Sequence, residues 1–153
     1  MTQAPVETEL ERLARSPLSE EVTFLIARVS SVSNGKANAA LRDLDLKVRS
    51  YSVLNLAASD LKPTQRELAQ MISLDPSQIV SLVDELESRG LIVREQDPRD
   101  RRQKVITATP EGAKLLDKAR ERTQAAQAAS LAPLNAKEQE VFREMMVRLA
   151  FTA

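Results

Sequence analysis

Apolar residues at Val22, Leu25, Ile26, Val29 and Val32 recur every three or four positions, the spacing that lines one face of an α-helix. The pattern predicts a long helix over residues 19–44. Ser19-Glu20-Glu21 supplies a cap and acidic first-turn residues, and Asn34-Gly35 is a weak point. Residues 46–56 carry Leu46, Val48, Tyr51, Val53, Leu54 and Leu56 and predict a second, shorter helix. After a turn at Lys62-Pro63, Thr64 is placed to cap a helix over 65–71, with Glu67 three residues on closing a capping box and Leu68, Met71 and Ile72 forming its apolar face. A tight turn at Leu74-Asp75-Pro76 then leads into a helix over 76–88. Asp75 caps it, Pro76 occupies the first position where its missing N–H costs nothing, and Ile79, Leu82, Val83 and Leu86 point to the core. Arg89-Gly90 ends it, with Gly90 as a left-handed terminator.

Beyond Gly90 the period changes from helical to extended. Leu91-Ile92-Val93 and Val105-Ile106 are short β-branched clusters flanking a polar loop over 95–103, which predicts a small hairpin. Thr109-Pro110-Glu111 opens a helix running to about residue 129, broken by Pro133. Asn135 caps a last helix with Val141, Phe142, Met145, Met146 and Leu149 on one face. Residues 1–17, with Pro5 and Pro17 and no periodicity, read as a loose or partly helical arm. The expected class is therefore mainly α with a small β-hairpin wing: a winged helix-turn-helix over 46–110, helical flanks at 19–45 and 111–153, and a flexible arm over 1–18.

Composition narrows the chemistry. The 153 residues contain no Cys and no His, which removes disulfides, thiol nucleophiles, thiol switches, Cys/His metal sites and the side chain most used as a base near neutral pH. No paired-acid motif stands out, so an enzyme is not expected, and neither a metal nor a cofactor is called for. The N-terminus is polar and acidic, unlike a signal peptide, and no apolar run is long enough for a membrane span, so a cytoplasmic protein is expected. Net charge is zero, with 22 basic and 22 acidic residues, an adverse sign for a polyanion binder. Basic charge is nevertheless focused: residues 94–104 hold five basic side chains against three acidic ones.

A helix, a tight turn, a second helix and a hairpin with an Arg-rich loop make an apparatus for reading duplex DNA. The second helix must keep its N-terminal half free to enter a major groove about 12 Å wide. Successive 100° steps put Ser77, Ser81, Asp84 and Ser88 opposite the core positions, with Gln78 and Val80 at the flanks. Ser77 and Ser81 suit phosphates or bases, Gln78 suits bidentate pairing with adenine, and Val80 suits a thymine methyl. Thr64 and Gln65, at the start of the preceding helix, are further candidate DNA contacts. In the wing, Arg99, Arg101 and Arg102 lie near the tip and suit a minor groove, with Asp100 placed to orient Arg102. The acidic Asp84-Glu85-Glu87 run reads as a solvated face turned away from phosphate, and Tyr51, Phe24 and Phe142 read as core or dimer packing. The same features also describe a winged-helix module that binds protein instead of DNA.

Three stretches resemble the MarR family of bacterial transcription regulators. They are Gln65-Arg66-Glu67-Leu68-Ala69, the run from Val80 through Asp84, Arg89 and Gly90 to Ile92, and Asp97-Pro98-Arg99-Asp100-Arg101-Arg102. Thr107-Ala108-Thr109-Pro110-Glu111-Gly112 is similar to the family's entry into the next helix, and the likeness covers roughly residues 20–150. The resemblance implies a homodimer paired through its first and last helices, a palindromic double-stranded operator, and Arg102 reaching a minor groove. It also implies a repressor released by a small-molecule effector, whose identity and pocket the residues do not disclose. Val80 and Ser81 stand where many relatives carry Thr and a basic residue, and Leu74-Asp75-Pro76 is a less usual entry to the recognition helix. Both departures bear on which operator is read.

Overall fold

The computed structural model describes residues 8–152. In order, the elements are α1 (Glu9–Leu13), a 3-10 turn (Pro17–Glu20), α2 (Val22–Leu41), a second 3-10 turn (Arg42–Leu44), α3 (Val48–Ala57), α4 (Gln65–Met71), α5 (Pro76–Ser88), β1 (Ile92–Gln96), β2 (Lys104–Ala108), α6 (Pro110–Leu131) and α7 (Ala136–Phe151). The mainly α class with one small hairpin is thus the observed one. Part of the arm, residues 1–7, lies outside the described residues, and its remainder includes the short α1.

Local signals place most boundaries. Thr64 and Asn135 close capping boxes with Glu67 and Glu138, satisfying backbone N–H groups that a helix start leaves open. Gly90, at φ 69°, takes the left-handed conformation that costs a glycine nothing, and the Leu91 N–H returns to the Leu86 carbonyl to finish α5.

The start of α2 differs from expectation. Pro17 begins a 3-10 turn that consumes Ser19, whose N–H bonds Ser16, and α2 opens at Val22 from Glu21 without a side-chain cap. The helix runs unbroken through Gly35, where a missing Cβ leaves open space, so the glycine weakens the helix by about 1 kcal/mol without ending it. Met71 is 52% exposed and does not share the apolar face of α4 with Leu68.

The core lies between Leu41 and Ala119. Leu41, Leu54, Leu68, Ile79, Val83, Leu86, Ile92, Ile106 and Leu116 are all at most 2% exposed and pack into one cluster. Burying each such side chain is worth roughly 1.5–3 kcal/mol, so this cluster dominates the stability of the unit. Gly112 lets α6 join it: a Cβ there would sit 2.0 Å from the Leu91 carbonyl oxygen. Thr109 fixes that approach, donating Oγ1 to the Gly90 carbonyl at 2.6 Å and its N–H to Leu91 at 3.0 Å, while accepting from Gly112 N–H at 3.0 Å.

The outer helices are different. No residue of α7 is buried, and Leu41 is the one buried residue of α2, at its C-terminal end. Val22, Leu25, Ile26, Val29 and Val32 on α2, and Val141, Met145, Leu149 and Phe151 on α7, are between 40% and 68% exposed. So many exposed large apolar side chains on two helices are unusual for a monomer.

Candidate nucleic-acid interface

The turn between α4 and α5 is built around Ser73, which adopts φ 53°, while Leu74 N–H bonds the Ala69 carbonyl at 3.0 Å. It delivers Asp75 to the start of α5, where Oδ1 accepts the N–H groups of Ser77 (2.9 Å) and Gln78 (3.0 Å) and the Ser77 hydroxyl (2.5 Å). These bonds favour the ionised form, so Asp75 titrates below the usual carboxylate range, the Ser77 hydroxyl being the largest cause. On α5, Ile79, Val83 and Leu86 are buried and Leu82 half-buried, while Ser77, Gln78, Val80 and Ser81 are exposed. The amphipathic division expected from the sequence is therefore present.

One arginine fastens three elements together. Arg94 of β1 donates Nε to Gln65 Oε1 of α4 at 2.9 Å, Nη2 to Asp84 of α5 at 2.5 Å, and Nη1 to Glu87 of α5. Its side chain is only 20% exposed. Burial works against its charge, but the two carboxylates outweigh that, and its pKa is raised. Asp84 and Glu87 are thus not a free solvated face, and Glu85 has its own partner in Arg89 at 3.6 Å. Gln65, a candidate DNA contact, has its carbonyl oxygen turned inward to Arg94. Thr64, the other candidate on this helix, uses Oγ1 to cap Glu67 N–H at 3.2 Å. Composition singled out Arg94 only as local positive charge, because its partners lie 7, 10 and 29 residues away.

The wing pairs β1 and β2 antiparallel from Ile92↔Ala108 to Gln96↔Lys104. The ladder continues through Glu95↔Val105, so the loop spans 97–103 and not 95–103. Gln96 Nε2 closes it by donating to the Arg101 carbonyl at 2.8 Å, and β2 is tied to the head by Ile106 N–H to the Pro63 carbonyl at 2.8 Å.

The three wing arginines part company. Arg102 is extended outward, its side chain 90% exposed, and Nε donates to Asp100 Oδ1 at 3.1 Å, which is the orienting pair expected. Arg101 is exposed beside it. Arg99 does not sit free near the tip. It bonds Asp97 through its backbone N–H (2.8 Å), Nε (3.1 Å) and Nη2 (3.3 Å), and Nη2 also reaches the Lys62 carbonyl at 3.3 Å. Asp97 is 4% exposed and held below the ordinary carboxylate range by the Arg99 guanidinium, so Arg99 fastens the wing base to the entry of α4.

A cavity of about 920 Å³ lies between α2, α3, α6 and α7, with Leu25, Ile26, Tyr51, Phe142 and Met146 as apolar walls and Ser33 and Arg143 among its polar lining. Tyr51 and Phe142, expected as packing residues, line this space. Periodicity could not find it, since the walls come from four helices far apart in sequence. Among the described residues no group of acidic side chains could hold a metal ion, and no helix is long and apolar enough to cross a membrane.

The model of the MarR family matches residues 44–103, from the turn after α2 to the end of the wing loop. A MarR-family transcriptional regulator from Rhodococcus sp. RHA1 is 42% identical, and its solved structure matches with a TM-score of 0.82 over 90% of this chain and 99% of that one. CouR from Rhodococcus jostii RHA1, solved bound to p-coumaroyl-CoA, is 44% identical with a TM-score of 0.82, over 90% of this chain and 97% of its own. The HTH-type transcriptional repressor Rv2887 of Mycobacterium tuberculosis is 29% identical over 126 residues, 82% of this chain and 91% of its own length. Its structure in complex with DNA matches with a TM-score of 0.69 at 27% identity, over 84% of this chain and 97% of that one. Extended over nearly the whole of these regulators, and carrying the winged helix-turn-helix in the same order, this chain belongs to the MarR family of transcriptional regulators.

Proposed function

We propose that the chain is a homodimeric repressor that binds a palindromic operator in double-stranded DNA in the cytoplasm and leaves it when an aromatic effector binds. It performs no catalysis. The observation that carries the DNA reading is the division of α5: its core face is sealed by Ile79, Val83 and Leu86, and its N-terminal half holds Ser77, Gln78, Val80 and Ser81 out to solvent. That half enters the major groove, α4 crosses the backbone with Thr64 and Gln65, and the wing carries Arg101 and Arg102 toward the minor groove. Arg99 supports the wing from its base.

Dimerisation follows from the exposed apolar faces of α2 and α7, which a partner would cover, roofing the cavity that Val22, Leu25, Ile26 and Val29 line. It also answers the charge problem. A neutral chain lacks a broad cationic surface, so two heads at half-sites about 34 Å apart supply affinity that one head does not. Residues 19–45 and 111–153 serve as the dimerising flanks of the head over 46–110. The N-terminal turns of α6 serve both parts, since Leu116 and Ala119 pack in the head's core.

The effector site is the cavity between α2, α3, α6 and α7. About 920 Å³ lies within the range of small-molecule pockets, and Tyr51 and Phe142 suit an aromatic ring while Arg143 suits a carboxylate or the polar end of a thioester. The ligand class is an aromatic acid or its coenzyme A thioester, in line with the molecule bound by the 44% identical CouR. An effector in this cavity contacts the flanks and α3 together, so it favours a dimer whose heads are wrongly spaced. A coupling of about 1–3 kcal/mol gives a 5- to 150-fold loss of affinity.

A gel-shift titration with a palindromic duplex from the chain's own upstream region, at about 50 and 200 mM salt, tests the DNA reading. Affinity should fall steeply with salt as counterions are displaced. Absence of binding, with capture of a protein partner instead, favours the interaction-module alternative.

A further inference from the structure

Four described helices open with a capping box: Thr8 with Glu11, Thr64 with Glu67, Asp75 with Gln78, and Asn135 with Glu138. Three are closed by glutamate. The recognition helix is closed by glutamine. The closing side chain must accept the N–H of the cap residue, which glutamate does with either oxygen and glutamine only with Oε1, because its amide nitrogen has no lone pair to offer. The Asp75 N–H can only donate. Its 3.3 Å bond to Gln78 therefore fixes Oε1 inward and leaves the Nε2 amino group turned away from the cap.

The neighbours sharpen this. Ser77 donates its hydroxyl to Asp75, and Ser81 donates its hydroxyl to the Ser77 carbonyl at 3.1 Å. Of the exposed polar side chains on this half of α5, Gln78 is the one whose donor group is not spent within the helix. A glutamate there would close the box equally well but would bring a second carboxylate next to Asp75 and toward the phosphates. Glutamine serves both needs, accepting from the cap and donating outward.

Resting on the reading that α5 enters the major groove, we infer that Gln78 recognises its base through donors alone, and that the base is guanine. Bidentate pairing with adenine requires the glutamine oxygen to accept from N6 while the nitrogen donates to N7. Here the oxygen is held at Asp75. Guanine presents O6 and N7 side by side, two acceptors for the two hydrogens of Nε2, whereas thymine presents only O4. The adenine pairing anticipated from residue type is thus replaced by guanine once the cap is taken into account. Asp75 is the positioning residue.

The test is a selection of duplexes from a randomised double-stranded library by the full chain, in parallel for the unmodified protein, Gln78→Leu and Gln78→Glu. The unmodified protein should enrich paired half-sites with one G·C pair per half-site that Gln78→Leu no longer requires. Gln78→Glu keeps the capping box and so reports on recognition if the leucine variant folds poorly; it should bind the enriched duplex about 5- to 150-fold more weakly, having lost its donors. Replacing that guanine with 7-deazaguanine, which lacks the N7 acceptor, should weaken the unmodified protein and leave Gln78→Leu unaffected. Relaxation at an A·T pair, or at no position, overturns the inference while leaving DNA binding intact. A library that the unmodified protein cannot enrich sinks the DNA reading itself.

Discussion

Arg94 Nε lies 2.9 Å from Gln65 Oε1, so a side chain from the first wing strand holds the first residue of α4, while its other nitrogens hold Asp84 and Glu87 on α5. This guanidinium ties α4, the recognition helix and the wing together, beside the Ile106–Pro63 and Arg99–Lys62 bonds and the shared core. Groove binding requires these elements to engage together, so the clamp matters to affinity without Arg94 itself needing to touch DNA.

Arg94→Gln should therefore lower both stability and DNA affinity. Asp84 and Glu87 are 60% and 39% exposed, so solvent relieves part of the stranded charge, and the expected loss is about 1–3 kcal/mol in urea unfolding. A double-mutant cycle with Asp84→Asn should show coupling between the two positions. Additive losses would mean that the ion pair contributes nothing of its own.

The two paired wing arginines should behave differently. Arg102→Ala is expected to weaken binding to all sequences and reduce the slope of log affinity against log salt by about 1, with little change in melting temperature. Arg99→Ala should lower the melting temperature by freeing the buried Asp97, and change the salt slope less. Salt titrations of both variants, read beside their thermal unfolding, check this assignment. An equal effect on the slope would place Arg99 at the DNA as well.

Acid should loosen the wing base. Asp97 titrates in the folded chain below its unfolded value, held there chiefly by the Arg99 side chain. A depressed carboxylate contributes stability that is fully present above the unfolded pKa of about 4 and is lost as pH falls through the folded one. The stability difference between the unmodified chain and Asp97→Asn should thus stay constant from about pH 8 to 5 and shrink below about 4. Unfolding curves across this range check it, and a difference that grows on acidification would contradict the sign.

Filling the cavity should separate response from binding. Ser33, half-buried on α2, lines the space, and Ser33→Leu takes up volume that a ring would need. The variant should still bind operator DNA but lose release by p-coumaroyl-CoA, p-coumarate or coenzyme A, tested as separate additions. The arm that releases the unmodified protein identifies whether ring, thioester or nucleotide is recognised. Unaltered release in Ser33→Leu would move the effector elsewhere.

What the sequence determined by itself was whatever depends on residues two to five positions apart. The caps at Thr64, Asp75, Thr109 and Asn135, the stop at Gly90, and the orienting pair of Asp100 with Arg102 all lie within one turn or loop, so their partners are adjacent in the string. Even there the string hid one choice: Ser19 looks like a cap, but Pro17 draws it into a 3-10 turn first. Tertiary structure decided the rest. Arg94 meets Gln65 across 29 residues and Arg99 meets Lys62 across 37, and four helices contribute the walls of the open cavity. Such pairs form only when the core cluster has folded and brought the elements together. A basic residue in the string is merely a charge; which carboxylate, carbonyl or phosphate it meets is fixed by packing.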